Sequence, residues 1–448
     1  MFNTHITSKS FIKFVFPSIL IMVFISFYTS IDSIFISRFV GSNALAAVNI
    51  ALPLYSVAFA CGIMFATGGG AIIAIKLGQN KLDEASKNFT SLLIIGILFG
   101  ILATIICLLF EETLITALGA SKNIKTHALA YSFYLILSFP FLIIKVVFES
   151  ILRVDGKPNT ALFMTLLGGI LNIIFDYIFM VPMHMGIAGA GLGTFLGIVL
   201  SNLVGFYHFT SNKSLLKFKT AKPDFKFILS TITNGSSEMV NEFSIALTTF
   251  IFNMLTMKYM GDNGVAAITI ILGLNFLIIS VFIGFSTGVA PLISYNYGRG
   301  NEKNIRTIIR FSKNFILIGS VLLFIISMSI TNQLVNIYTD KSNAVYPIAV
   351  AGLQSFSISF LFVGINIFGS AFFTAFENGK ISALISFVKS FVFFIIAAWI
   401  LPSLFKVEGI WLITPVSEFC SMFMVLLFML KYQKVYKYNL IGKLARLR

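Results

Sequence analysis

The sequence predicts an all-α membrane protein with twelve transmembrane helices in two pseudo-symmetric halves of six. Three observations carry that prediction. The first is composition. Of 448 residues, 57% are hydrophobic and 11% are charged, against about 45–50% apolar and about 25% charged in a soluble domain. The second is that apolar runs of bilayer-crossing length, roughly 20 residues each, recur along the whole chain. The third is that basic residues collect on alternate connections between those runs. Composition alone excludes a disordered chain, a disulfide scaffold and an ordinary soluble enzyme. Cys61, Cys107 and Cys420 all lie in apolar stretches and show no metal-ligand spacing.

The runs fall, in order, at 14–37, 47–75, 89–110, 128–148, 160–181, 187–209, 227–257, 265–293, 314–334, 345–373, 382–402 and 409–430. The first follows Lys9 and Lys13 and has no small-residue cleavage site, so it reads as a span and not as a signal peptide. Runs near 30 residues exceed a perpendicular crossing and must tilt, bend or project from the hydrocarbon. The short segments between runs, rich in Gly, Asn, Lys and Asp, read as loops. With both termini cytoplasmic, 24 of the 32 Lys and Arg residues lie on the cytoplasmic side and six on the other; Lys145 and Lys389 lie within spans. The net charge of +15 is thus a topology signal for the cell (inner) membrane, suited to anionic lipid headgroups and not to nucleic acid.

A shift of 220 residues superimposes residues 41–78 on 261–298 without a gap, with 13 of 38 positions identical. The identities include Gly41/Gly261, Asn43/Asn263, Thr67/Thr287, Gly68/Gly288 and Gly78/Gly298. Shared membrane composition would match Leu and Ile positions but not these. The chain therefore divides into an N-terminal lobe (1–209), a linker (210–226) and a C-terminal lobe (227–448). An even number of spans per half makes the repeat parallel, an arrangement that transporters use to place a site between two rocking lobes.

Ionisable residues inside a membrane are costly and are read first as functional. Those well inside spans are Asp32, Asp176, Glu238, Glu242 and Glu418. Asp32 lies fifteen residues after Pro17, which permits a bend in the first span. Asn172 and Asp176 are one turn apart on one helix face. Two carboxylates in a low-dielectric pocket either exchange a proton or, with Asn172 and a hydroxyl, hold a cation through oxygen ligands. Glu238 and Glu242 form a second candidate charge site, and Glu418 follows the helix-kinking Pro415. Lys145 and Glu149, four apart, read as an interfacial ion pair. Lys389 either snorkels to the interface or faces a cavity. The 50 Phe, 14 Tyr and 15 Met residues mostly pack helices or face lipid; those lining a cavity suit lipophilic cations. The chain carries no P-loop for ATP, and no H-E-x-x-H or G-x-S-x-G motif. It is therefore read as a non-enzyme with no cofactor beyond H⁺ or Na⁺.

Several stretches, taken in order, resemble the multidrug and toxic compound extrusion (MATE) family over essentially the full length. They are Asp32 to Arg38 leading to Gly41 and Ala44 to Ala47, Asn172 to Asp176, the glycine-rich run ending at Gly193-Thr194, Pro291 to Gly298, and Glu408 to Trp411. The loops are most similar to the bacterial MepA-like and DinF-like branches. The resemblance implies a V-shaped pair of six-helix bundles around a central cavity. It also implies export of organic cations and other amphipathic drugs in exchange for H⁺ or Na⁺. In DinF-type members the N-terminal lobe couples transport to the ion, a pattern that maps to Asp32, Tyr131, Asn172, Asp176 and Thr194, with Pro17 as the bending residue. A Na⁺ ion would use Asp32, Asn172, Asp176 and Thr194. NorM-type members add an acid in the seventh span, where either Glu238 or Glu242 stands, although Gly235-Ser236-Ser237 departs from the usual Gly-x-Pro. The alternative is a flippase for a lipid-linked precursor. Such a protein needs several cationic residues facing its cavity, and only Lys145 and Lys389 are available within spans.

Overall fold

The computed structural model describes residues 6–221 and 224–439, and omits the side chains of 29–34, 37, 42, 43, 45 and 123. The described residues are helical almost throughout. In chain order the helices are α1 (Ser8–Phe39), α2 (Ser42–Gly78), α3 (Leu82–Leu109), α4 (Glu111–Ala117), α5 (Lys122–Leu137), α6 (Phe139–Val154), α7 (Pro158–Met180) and α8 (Ile187–Thr210). The second half holds α9 (Phe225–Gly298), α10 (Glu302–Ser329), α11 (Thr331–Asn336), α12 (Val345–Ser357), α13 (Phe360–Ala375), α14 (Gly379–Phe387), a π-helical segment (Val388–Phe393) and α15 (Phe394–Tyr432).

Among the described residues, eight helical stretches are long and apolar enough to cross a membrane. Two of these each hold two crossings, and two further crossings are pairs of helices bent by 49° (α5–α6) and 55° (α12–α13). This arrangement accommodates all twelve expected spans. The loops expected at 258–264 and 403–408 are different from the prediction. Helix runs up to both sides of a single residue in each: Gly261 (φ 63°, ψ −152°) in α9 and Lys406 (φ 51°, ψ −122°) in α15. One residue with positive φ is enough to redirect the chain, so no irregular loop is needed. The same 220-residue shift links these breaks to Gly41 (φ 111°) and Gly186 (φ 58°, ψ −139°). Glycine makes the turn at three of the four places, while Lys406 holds a conformation that L side chains rarely adopt.

Among the described residues, the lobes share a hydrophobic core at one end. One hydrophobic core contains Phe11 of α1, Phe65 of α2, Phe148 of α6, Phe285 of α9 and Phe373 of α13, and so runs through both lobes at the end bearing the 210–226 linker. At the far end the cores are separate. Ile36, Ala47, Tyr131 and Ala190 form one in the N-terminal half, and Phe252, Ile271, Phe356 and Trp411 form another in the C-terminal half. Burying one shared core at a single end leaves two arms that diverge away from it.

The junction is built on glycines. A Cβ on Gly78 of α2 would lie 2.1 Å from the Tyr295 carbonyl oxygen of α9, and one on Gly298 of α9 would lie 2.1 Å from that of Ile75. Likewise Gly68 lies against Thr231 and Gly235 of α9, and Gly288 against Val15 and Ser18 of α1. The Gly78/Gly298 identity is thus a reciprocal contact across one pseudo-twofold crossing, whereas Gly41 and Gly261 serve the turns. Small residues let backbones approach closely, and in a membrane that close contact is what holds helices together.

Each lobe ends in a segment that folds back on it. After α8, Leu216 is fully buried and Phe218 stacks on Phe89 at 5.4 Å. Asp155 anchors the same segment, accepting from the Leu215 and Leu216 amides at 2.9 and 3.2 Å and pairing with His208 at 2.7 Å. After α15, Tyr436 stacks on Phe376 at 4.2 Å, and the Tyr438 hydroxyl donates to the Met429 carbonyl. Ion pairs close both segments, Lys219–Asp83 at 2.5 Å and Lys437–Glu302 at 2.9 Å.

Candidate functional site: buried carboxylates in both lobes

Helices α7 and α8 of the N-terminal lobe form the first site. Asn172 and Asp176, one turn apart on α7, are 2% and 1% exposed, and Thr194 of α8 is 8% exposed. The Asn172 amide donates to Asp176 Oδ1 at 3.3 Å and to Thr194 Oγ1 at 3.1 Å. Asn172 Oδ1 has no hydrogen-bond partner among the described residues. A buried amide oxygen without a donor is costly, and here it adds a further acceptor beside a carboxylate and a hydroxyl. Such a set of oxygens suits a proton or a small hard cation. The glycine-rich start of α8 makes the approach possible, since a Cβ on Gly193 would fall 2.1 Å from Asp176 Oδ1.

Tyr131 of α5 is buried against Gly191 of α8, three residues before Thr194. The Asp32 side chain lies outside the described residues. The backbone of α1 nevertheless fixes its level. Phe24 and Tyr28 lie against Gly169 of α7, and the Phe39 ring meets that of Tyr177 at 6.4 Å. Position 32 falls between these two contacts, alongside the stretch of α7 that carries Asn172 and Asp176. Pro17 sits inside α1, which continues through it as a single helix. Its neighbour Ser18 lies against Gly284 and Gly288 of the other lobe. One helix therefore packs along α7 with its second half and against the lobe junction with its first.

The C-terminal acids do not share one site. Glu238 lines a small cavity at the lobe junction with Thr67, Ser150 and Arg153 of the N-terminal half and Thr287 and Thr374 of its own. It accepts from the Asn241 amide at 3.5 Å. Glu242 lies within electrostatic reach of Glu238 but does not line that cavity. Glu418 is buried inside the lobe. Its Oε1 meets Lys389 Nζ at 2.9 Å, and its Oε2 accepts from Asn366 Nδ2 at 2.6 Å. Lys145 and Glu149 do pair, at 2.8 Å. The expected interfacial setting differs, because Glu149 is 7% exposed and also accepts from Thr165 of α7 at 2.8 Å.

Sequence reasoning missed Asn366, the partner of Glu418, and Arg153, whose buried Nε has no hydrogen-bond partner among the described residues. An asparagine in the middle of the apolar stretch 360–373 was the available signal for the first. Arg153 carried none, because it sits at the end of α6 where an arginine is expected to reach water. Among the described residues no group of three or more His, Cys, Asp or Glu side chains has metal-binding geometry.

Two halves joined at glycine crossings, with buried acids inside an otherwise apolar helical shell, define a multi-pass membrane transporter. The family model MatE matches residues 17–178 and 239–400, and the chain belongs to that family, the MATE transporters. It is 25% identical over 431 residues to the multidrug export protein MepA of Staphylococcus haemolyticus strain JCSC1435, covering 93% of each chain. It is 24% identical over 423 residues to MepA of Staphylococcus aureus strain MRSA252, covering 92% of each. In fold it is similar to an outward-facing multidrug resistance MATE transporter of the MOP superfamily, with TM-score 0.90, 21% identity and coverage of 95% and 96%. It is equally similar, at TM-score 0.90 and 21% identity over 96% and 97%, to a MOP superfamily transporter of Pyrococcus furiosus. For that protein, reversed polarity of the binding pocket suggests a different function.

Proposed function

We propose that this transporter exports organic cations and other amphipathic drugs from the cell in exchange for H⁺ or Na⁺, by alternating access, with both termini cytoplasmic. The observation that carries this reading is the buried Asn172–Asp176–Thr194 cluster beside a helix that also reaches the lobe junction. An ion entering that cluster changes the charge at Asp176 and the hydrogen bonding of Asn172. Asp32, on the neighbouring turn of α1, is proposed to share that ion. Pro17 leaves α1 free to bend, because proline lacks the amide that would close the helix there. A bend at that point shifts Ser18 against Gly284 and Gly288, and so couples ion occupancy to closure of the lobe junction. The ion and the drug need only stabilise opposite states. The two halves share a core at the linker end; with that end cytoplasmic, the arrangement fits an outward opening.

The pairing of the two lysines within spans supports cationic cargo. The flippase alternative requires cationic side chains offered to a diphosphate, whereas Lys145 and Lys389 are each engaged by a glutamate. Expression in a bacterial host stripped of its own drug exporters tests the export reading. Cells expressing the protein are expected to tolerate several-fold higher concentrations of lipophilic cations and to accumulate less ethidium. Unchanged tolerance and accumulation, with the protein present in the membrane, would overturn it.

A further inference from the structure

We infer that Lys389 is a tethered cation: its ammonium group permanently neutralises Glu418, so this carboxylate takes up neither a proton nor a metal ion during transport. The role of the ion pair stands on geometry alone. Its consequence, that Glu418 is not a site of ion exchange, rests on the exchange reading above.

Glu418 is 6% exposed and lies three residues past Pro415, deep in the final span. An isolated carboxylate cannot remain charged at such a place. It must be protonated, paired or bound to a cation. Both of its oxygens are occupied by groups of this chain, Oε1 by Lys389 at 2.9 Å and Oε2 by Asn366 at 2.6 Å. The Asn366 amide also donates to the Glu418 backbone carbonyl at 2.8 Å. A second chemical observation concerns the lysine itself. Lys389 lies in the six-residue π-helical segment Val388–Phe393, where its carbonyl accepts from the Phe394 amide. Such wide turns are rare and recur at functional sites. The chain thus departs from regular helix at the residue that delivers the positive charge.

Among the described residues, no positive group other than Lys389 pairs with Glu418. Helix α13, which carries Asn366, has no titratable residue. Helix α14 has only Lys380, and α12 has only Tyr346, which is bonded to Asn332. On α9, Glu238 lies within electrostatic reach of Lys389, and Glu242 lies near Glu238. Lys389 therefore serves two carboxylates, one by direct contact and one at a distance. A lysine ammonium is a compact charge on a flexible stem. It fills the place of a monovalent ion, and it cannot leave.

Removing the tether recreates the need for a mobile cation. The full-length Lys389→Gln, Glu418→Gln and double variants, purified beside the parent protein, test this. Thermal unfolding is followed at acidic and alkaline pH, with sodium chloride or choline chloride. For K389Q the deficit in melting temperature relative to the parent is expected to be several degrees at alkaline pH. It should shrink as pH falls, because protonation discharges the orphaned carboxylate, and shrink again with sodium. For E418Q the sign is opposite: the deficit shrinks as pH rises, because the orphaned lysine discharges. The double variant carries neither orphan and should lose both dependences. Deficits that ignore pH and sodium, or a double variant with the same pH dependence as K389Q, would overturn the tethered-cation role. Where K389Q does not fold, E418Q and the double variant decide by the same signs. In proteoliposomes, K389Q should move one more ion per cargo molecule than the parent. A parent protein that moves no ion with its cargo would instead overturn the exchange reading, and leaves the unfolding test intact.

Discussion

Asp176→Asn abolishes ion-driven export and leaves the fold intact. The substitution keeps the size and planarity of the side chain. An amide oxygen in place of Oδ1 still accepts from Asn172, whose present bond is 3.3 Å long. What disappears is the charge. A neutral amide cannot bind and release a proton, and it holds a small cation far more weakly than a carboxylate does. The structural cost is that of one altered buried hydrogen bond, about 1 kcal/mol. The functional cost is the whole difference between ion-loaded and ion-free states, which is all that drives the lobes. Efflux of ethidium from energised cells is expected to fall to the level of cells without the protein, with unchanged membrane abundance and a melting temperature close to the parent's. Asp32→Asn is expected to act in the same way. An Asp176→Asn protein that still exports at the parental rate would remove the N-terminal cluster from the mechanism.

The second large effect is expected at the lobe junction. Gly78 and Gly298 face each other's helices so closely that a single added methyl would sit 2.1 Å from a backbone carbonyl oxygen on either side. A real side-chain carbon needs more than an ångström beyond that, and the obstruction is main chain rather than a flexible side chain. Helices α2 and α9 must therefore move apart. Overfilling a tight contact costs about 1–3 kcal/mol. The cost falls on the state in which the junction is closed, because the crossing separates when the other side opens. A differential of that size shifts the balance of states by about 5–150-fold. Gly78→Ala and Gly298→Ala should each favour opening at the linker end, and together more so. The readout is labelling of a cysteine introduced at Thr287, which lines the junction cavity, after replacement of Cys61, Cys107 and Cys420. Labelling from the cytoplasmic side should accelerate while export declines. Equal labelling in parent and variants would mean that this crossing does not gate the junction.

Much of the architecture was legible because a bilayer leaves the chain few choices. Long apolar runs can only be spans, and the basic connections order them. Of the glycine identities in the repeat, Gly78/Gly298 marked a reciprocal contact and Gly41/Gly261 a pair of turns. The Asn172–Asp176 pair was legible from i,i+4 spacing, whereas Thr194 came only through the family resemblance. The parts that stayed hidden depend on single backbone angles or on distant partners. Gly261 and its neighbours have the composition of a loop, yet one positive φ turns the chain without one. Lys406 gives no sign of a turn at all, since the repeat has glycine at the matching position, Gly186. Glu418, Lys389 and Asn366 belong to three separate helical segments. Each looked ambiguous alone, and only their meeting settles that the acid is paired. The segment 210–226 read only as the linker between lobes, but Leu216 and Phe218 dock it on the N-terminal lobe.

The central claim is that the N-terminal carboxylates exchange an ion for an organic cation across the membrane. Uptake of a fluorescent organic cation into proteoliposomes tests it most directly, with a pH gradient and a sodium gradient imposed separately at zero membrane potential. The account predicts that one of the two gradients drives uptake by the parent protein. That same gradient should drive none by Asp176→Asn, and collapsing it should stop the parent. Uptake at the same rate without either gradient, or uptake by Asp176→Asn equal to the parent's, would contradict it.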